Sequence, residues 1–155
     1  VKHPNIRRTD VESAAEMYEA ATALFPSCNA AIMCAAVADF TPDTCAEEKI
    51  KREGEQLLLR LTPTRDIAAA LGEMKTDEQK LCGFALETHN ALEHAQEKLK
   101  RKKLDMIIMN SLQDPGAGFQ VDTNKVTVIT AGQQESLPLL SKKDVAKEII
   151  NKFMP

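Results

Sequence analysis

Apolar runs at residues 30–37, 81–86 and 105–109 alternate with stretches of helical period, and no other feature narrows the fold as much. Runs this short, bounded by turn formers, read as strands buried on both faces. A helix between two such runs carries the chain back so that the next strand lies parallel to the last. The class that follows is α/β: a Rossmann-like, mostly parallel sheet with helices on both faces. A late antiparallel hairpin is also expected, because Val121 and residues 125–129 flank Asp122-Thr123-Asn124, which reads as its turn.

The remaining elements fall between these runs. Residues 6–9 read as a short strand. Thr9-Asp10-Val11-Glu12 is a capping-box pattern, opening a helix through Met17 and Leu24 that Pro26 stops. Residues 39–54 form a loop rich in turn formers, and residues 57–61 a short strand-like run. Pro63 and Thr64 open a helix through Ile67 and Leu71, with Gly72 near its end. Asn90-Ala91-Leu92-Glu93 is a second capping-box pattern, and its helix runs to about Lys103. Gly116 and Gly118 mark a loop, and Ser141 caps a last helix reaching Phe153.

Composition excludes several function classes. With 155 residues the chain fits a single domain, 1–155, and can bury a real core. A net charge of -3 argues against nucleic acid as a partner. No run approaches the ~18 apolar residues needed to span a bilayer, and the start at Val1-Lys2-His3-Pro4 does not read as a signal peptide. Cys28, Cys34, Cys45 and Cys82 include no C-x-x-C pair, so free thiols in a reducing cytoplasm are expected. His89 and His94 stand five apart, off the four-residue spacing of a helical metal pair.

The chemistry concentrates after the first apolar run. Ala35-Ala36-Val37-Ala38-Asp39-Phe40-Thr41-Pro42 ends that strand in small residues and one acid, and Lys49-Ile50-Lys51-Arg52 follows ten residues later. Open α/β sheets bind ligands beyond the carboxyl ends of their strands. An acid there can accept hydrogen bonds from a ribose or base, and a basic loop can neutralise phosphates. The combination points to a nucleotide site, although an acid after a strand also serves as a plain turn cap. G-x-G-x-x-G and Walker A sequences are both absent, so lysines and backbone amides would have to hold the phosphates. That absence also disfavours a dinucleotide oxidoreductase.

Three further groups sit at expected strand ends, each with a competing structural reading. In Thr62-Pro63-Thr64-Arg65-Asp66-Ile67, free amides at a helix start suit an anion; alternatively Asp66 simply complements the helix dipole. In Gly83-Phe84-Ala85-Leu86-Glu87-Thr88, the missing side chain of Gly83 would let a base or ribose approach beside Phe84; alternatively Phe84 is core. In Lys98-Leu99-Lys100-Arg101-Lys102-Lys103, Lys98 and Lys102 share a helix face; alternatively the run is a solvated helix end.

Taken in order and spacing, these segments, with residues 105–110, Gly118-Phe119, Asp122 and Asn124, resemble one family. It is the phosphopantothenate–cysteine ligase (phosphopantothenoylcysteine synthetase) domain of bacterial coenzyme A biosynthesis flavoproteins. The resemblance implies CTP-dependent ligation of 4'-phosphopantothenate with L-cysteine through an acyl-cytidylate. Mg²⁺ accompanies the nucleotide, no flavin is expected on this chain, and a cytoplasmic homodimer is the family's habit. By position, Met33, Cys34, Ala35 and Ala36 would line the nucleotide pocket through backbone. Asp39 would accept hydrogen bonds from the nucleotide. Lys49 would be the catalytic cation on a mobile flap, residues 43–54. Arg65, Asp66, Ile67 and Ala68 would supply a loop and helix start. Phe84 would pack on the nucleotide, and Lys98 and Lys102 would neutralise phosphate. Which residues hold the Mg²⁺ is left open by the resemblance. The Lys49-Ile50-Lys51 stretch resembles the CTP-using bacterial branch more than the ATP-using eukaryotic one.

Two departures stand out. Arg65 occupies a position commonly proline in the family, which leaves contacts through its backbone possible but removes a stiffened loop. The family also begins with a strand, a Gly-Pro-Thr-Arg-Glu-like turn and an Asn-x-Ser-Ser-Gly-x-x-Gly segment that carries a catalytic asparagine. This sequence aligns from what would be the third strand. The expectation is therefore the C-terminal portion of a ligase domain with an exposed sheet edge, inactive by itself. The alternative is a nucleotide-binding module without catalysis.

Overall fold

The computed structural model describes residues 3–46, 48–51, 57–87, 90–111 and 121–154. In chain order the elements are α1 (Ala14–Leu24), a 3-10 turn at Phe25–Ser27, β1 (Ala30–Met33), β2 (Phe40–Pro42), β3 (Leu61–Pro63), α2 (Ile67–Met74), β4 (Lys80–Glu87), α3 (Ala91–Arg101) and β5 (Met106–Ser111). Then come β6 (Thr123–Asn124), β7 (Val126–Thr130), β8 (Gln133–Ser136), β9 (Leu140–Ser141) and α4 (Lys142–Phe153).

The main sheet has the order β1-β4-β5-β7-β8. It is parallel at its core, with Ile32 opposite Cys82 and Phe84 opposite Ile108. It turns antiparallel where Ile108 meets Val128 and Ile129 meets Gln134. Strand alternation sends Leu81, Ala85, Ile107 and Ile129 to one face, where Met17 of α1, Leu71 of α2 and Leu99 of α3 cover them. Cys82, Met106, Ile108 and Val128 face the other way, against Val145, Ile149 and Phe153 of α4. Helices on both faces, the parallel core and the late antiparallel hairpin are as the sequence led us to expect. Each fully buried Leu or Ile contributes about 1.5–3 kcal/mol by leaving water.

Element boundaries differ in instructive ways. Residues 6–9 form no strand, and α1 starts one turn later than expected. Two capping-box patterns stand side by side here, and only the second leads into the packed face: Glu16 N–H donates to Ser13 Oγ at 3.1 Å while Ser13 N–H donates to Glu16 Oε2 at 3.2 Å. β1 stops at Met33 rather than residue 37. The stretch 39–54 is not all loop, because β2 pairs antiparallel with β3. Residues 57–60 lie outside any strand, with Leu58 92% exposed; pairing starts only at Leu61. Pro63 belongs to β3, a ribbon strand that tolerates proline, and α2 is capped by Asp66 instead.

Asn90 precedes α3 but makes no capping bond, since its backbone is left-handed (φ 48°). The same helix ends at Arg101, short of Lys103. Lys103 is left-handed (φ 51°), its N–H donates to Lys100 O at 3.2 Å, and Leu104 N–H donates to Leu99 O at 2.9 Å. That is a Schellman ending with lysine where glycine is usual. Asp122-Thr123-Asn124 is not the hairpin turn: Thr123–Asn124 pairs with Leu140–Ser141, and the turn lies at Ala131-Gly132, where Gly132 takes φ 82°. Gly116, Gly118, Phe119 and Thr88 lie outside the described residues.

Gly72 fixes how closely α2 crosses the end of α3. A Cβ at this position would stand 2.0 Å from the Lys102 carbonyl oxygen and 2.9 Å from its carbon, both backbone. At Gly83 the nearest atom is the flexible Leu104 Cδ1, at 2.8 Å. The helix-propensity gain from Gly→Ala, about 1 kcal/mol, is smaller than the overpacking cost of ~1–3 kcal/mol plus the backbone shift. Gly72→Ala should therefore destabilise the protein in urea unfolding by more than Gly83→Ala does; equal effects would contradict the crossing geometry.

Candidate functional site

A cleft of about 280 Å³ opens at the carboxyl end of β1, lined by Met33, Ala35, Val37, Ala38, Asp39, Thr64, Arg65, Asp66, Ile67, Ala68 and Lys102. Two loops and one helix end build it. The first loop leaves β1 and is pinned by Val37, which packs against the α1–α3 side of the core. The second runs from β3 into α2. Thr64 joins them, its hydroxyl donating to Ala38 O at 2.6 Å and its N–H to Asp39 O at 2.9 Å. The third wall is the last turn of α3, which brings in Lys102.

Asp66 is the electrostatic centre of the cleft. Its carboxylate accepts from Ala69 N–H at 3.1 Å, capping α2, and pairs with Lys102 Nζ at 2.9 Å. Burial pushes its pKa up, but the Lys102 hydrogen bond, the Ala69 N–H and the charges of Lys102 and Arg101 outweigh burial and lower it below the ordinary value. The helix start thus already carries its own anion. Arg65 does not offer its charge to the cleft: its guanidinium reaches Glu19 at 2.5 Å and lies 3.7 Å from the centre of the Tyr18 ring on α1. Asp39 is exposed, with no hydrogen bond or ion pair to its carboxylate among the described residues.

The cleft gathers Met33, Ala35, Asp39, Arg65, Asp66, Ile67, Ala68 and Lys102 from the residues singled out in the sequence. Cys34 and Ala36 lie exposed on the same loop but do not line it. Lys49 is exposed and outside it, and residues 47 and 52–54 of the flap are not described. Lys98 lines a separate concavity with His94, Glu97 and Arg101. Lys102 N–H donates to Lys98 O at 3.0 Å, so the two lysines stand one helical turn apart as expected, but they line different concavities. Phe84 has the strand parity of Cys82 and packs, half-buried, on the α4 side. The room left by Gly83 is taken by Leu104 rather than left for a ligand. Val37, Ala38 and Thr64 also line it; they lie in the segments picked out by sequence, but small or β-branched residues beside an acid carry no signal for a role of their own.

A larger concavity, about 650 Å³, lies by the β7–β8 turn with the Lys152–Glu135 ion pair (2.8 Å) on its wall. It lies away from the strand ends that hold the acids. Among the described residues no group of three or more His, Cys, Asp or Glu could hold a metal ion, and no helix is long and apolar enough to cross a membrane.

A parallel-core sheet covered by helices on both faces, with a cleft at its strand ends, defines a Rossmann-like domain. The chain belongs to the family described as DNA/pantothenate metabolism flavoprotein C-terminal domain, which matches residues 1–155. The ligase-domain resemblance read from the sequence lies in this family. A coenzyme A biosynthesis bifunctional protein CoaBC from Bacillus subtilis is 43% identical over 92% of this chain and 35% of its own length. A cysteine/cysteine sulfinic acid decarboxylase from an unknown prokaryotic organism is 50% identical over 97% of this chain and 42% of its own length. The chain thus spans well under half of either relative. The crystal structure of the C-terminal domain of a CoaBC protein superposes with a TM-score of 0.72 at 41% identity, covering 92% of this chain and 63% of that one.

The lowered Asp66 pKa gives a signed pH dependence. A depressed carboxyl stabilises the fold above the unfolded-state value of about 3.9 and loses that contribution as pH falls through the folded value. The stability difference between wild type and Asp66→Asn should be flat above about pH 5 and shrink in more acidic solution. Lys102→Ala should raise the Asp66 midpoint, read by carboxyl ¹³C NMR. An unmoved midpoint would contradict the pairing.

Proposed function

We propose that this domain binds CTP with Mg²⁺ in the cleft and belongs to a ligase that joins 4'-phosphopantothenate to L-cysteine in coenzyme A biosynthesis. The observation that carries the reading is the convergence of Met33, Ala35, Asp39, Asp66, Ile67, Ala68 and Lys102 on one cleft at the strand ends. The names of the CoaBC relatives, which place those proteins in coenzyme A biosynthesis, support the reading.

In the proposed reaction a carboxylate oxygen of 4'-phosphopantothenate attacks the α-phosphorus of CTP, and the bond to pyrophosphate breaks. The cysteine amine then attacks the acyl carbon, CMP leaves, and the amine proton passes to a base or water. Charge dictates what the domain must add. Asp39 and Asp66 face the ligand, Arg65 is committed to Glu19, and Lys102 to Asp66. A triphosphate entering here needs further cations. Lys49 and Lys51 on the flap and a Lys102 turned from Asp66 toward phosphate would supply them. Magnesium takes oxygen ligands, usually one or two carboxylates plus substrate phosphates, and the carboxylates of Asp39 and Asp66 fit that donor set. When bound it would neutralise triphosphate charge.

A homodimer is part of the proposal. Phe40, Leu58 and Leu61, on and beside the β2–β3 ribbon, expose apolar surface that a second copy would cover. Light scattering should give twice the chain mass, and Leu58→Asp should lower it. A second reading is a nucleotide-binding module without catalysis. Pyrophosphate release from CTP and 4'-phosphopantothenate by the full-length protein separates the two.

Calorimetry with CTP and ATP tests the site directly, with heat for CTP expected and none at millimolar concentration refuting it. Lys49→Gln should slow formation of the acyl-cytidylate at least ~10-fold, about 1.4 kcal/mol of barrier. Lys102→Ala should weaken CTP binding about tenfold, as loss of a charge-assisted contact implies, while Lys100→Ala leaves it near wild type. Lys98→Ala separates the family role, which predicts weaker binding, from the distinct concavity in which Lys98 lies.

A further inference from the structure

We infer that Thr64 is a positioning residue for the nucleotide, the hydroxyl that fixes where the Asp39 carboxylate stands; this rests on the nucleotide reading of the cleft. Asp39 follows β1 on a loop without regular structure, and no bond to its carboxylate is found among the described residues. Its placement therefore comes from its backbone. Val37 anchors the chain two residues earlier in the core. Thr64 then holds two consecutive carbonyls, Ala38 O by its hydroxyl at 2.6 Å and Asp39 O by its N–H at 2.9 Å.

Holding both carbonyls fixes the peptide planes on either side of the Asp39 Cα, and with them the direction in which the Asp39 side chain leaves the backbone. The N–H bond continues the β2–β3 ladder and would form with any residue but proline. The hydroxyl bond is a choice of side chain. Thr64 is half-buried and lies two residues before the Asp66 cap, so one residue ties the acid loop to the helix start. A ligand that uses Asp39 from one side and the α2 start from the other needs that spacing held before it arrives.

The test compares wild type, Thr64→Val and Thr64→Ser in the full-length protein. Valine keeps the shape and the backbone bond but removes the hydroxyl; serine restores it. Without ligand, Thr64→Val should speed amide exchange at residues 37–41 and leave β4 and α2 unchanged. With CTP and Mg²⁺, its dissociation constant should rise at least threefold, while that for inorganic pyrophosphate, which lacks the ribose and base, stays within error. Thr64→Ser should return both readouts to wild type, a rescue that loss of general stability would not give. Unchanged exchange and CTP affinity in Thr64→Val, or serine behaving as valine, overturns the inference. A wild type that binds no CTP overturns the nucleotide reading instead, and the exchange arm then decides whether the clamp orders Asp39.

Discussion

The contact on which the cleft depends is the crossing of α2 over the last turn of α3. The carbonyl of Lys102 occupies the space any side chain at Gly72 would need. Backbone-to-backbone approach of this kind cannot be approximated by a flexible contact, because neither partner can rotate away. From it follow the position of Lys102 beside Asp66, the left-handed Lys103, and the insertion of Leu104 beneath Gly83. The cation reaches the cleft because the helix ends there, not because the helix points there.

That arrangement changes the electrostatic meaning of the cleft. A lysine and an aspartate both attractive to a charged ligand are bonded to each other, and the aspartate also caps a helix. A partly exposed pair of this kind contributes modestly to stability, so exchanging Lys102 from carboxylate to phosphate costs little. The cap remains with Asp66 after the exchange, so the helix start need not reorganise. In the proposed complex, binding would replace the Lys102–Asp66 pair by a Lys102–phosphate pair, and the two acids left behind would call for an accompanying cation.

The sheet and both of its helix layers were legible because strand parity and helix period are written directly in residues such as Leu81, Cys82, Ile107 and Ile108. Ser141 was equally plain, an N-cap before an amphipathic run. What was not legible depended on competition or on distance. Two capping boxes lay side by side in residues 9–16, and only packing of Met17 and Tyr18 chose between them. Asn124 looked like a turn, but Gly132 supplied the left-handed conformation that the hairpin needs. The α3 ending had no glycine or proline to announce it. In the cleft, Asp39 stood out by its charge after a strand, whereas Asp66 and Lys102 read more simply as helix-end charges and entered through the family resemblance. The role of Thr64 could not be read from the sequence, since its contacts span 26 residues.

Arg65 shows how a charge near a site can serve the scaffold. Exposed ion pairs are worth about 0–1 kcal/mol and an exposed cation–π contact ~0.5–1 kcal/mol. Neither of Arg65's contacts would dominate stability, yet together they fasten the loop before α2 to Tyr18 and Glu19. A proline at this position would stiffen the loop through its own φ angle. Arginine reaches a comparable end by tethering, which holds the backbone from outside through its side chain. The loop's rigidity then depends on α1, an element that contributes no lining residue. Structural coupling between α1 and the cleft is thus built through a residue that the sequence places only in the loop leading into α2.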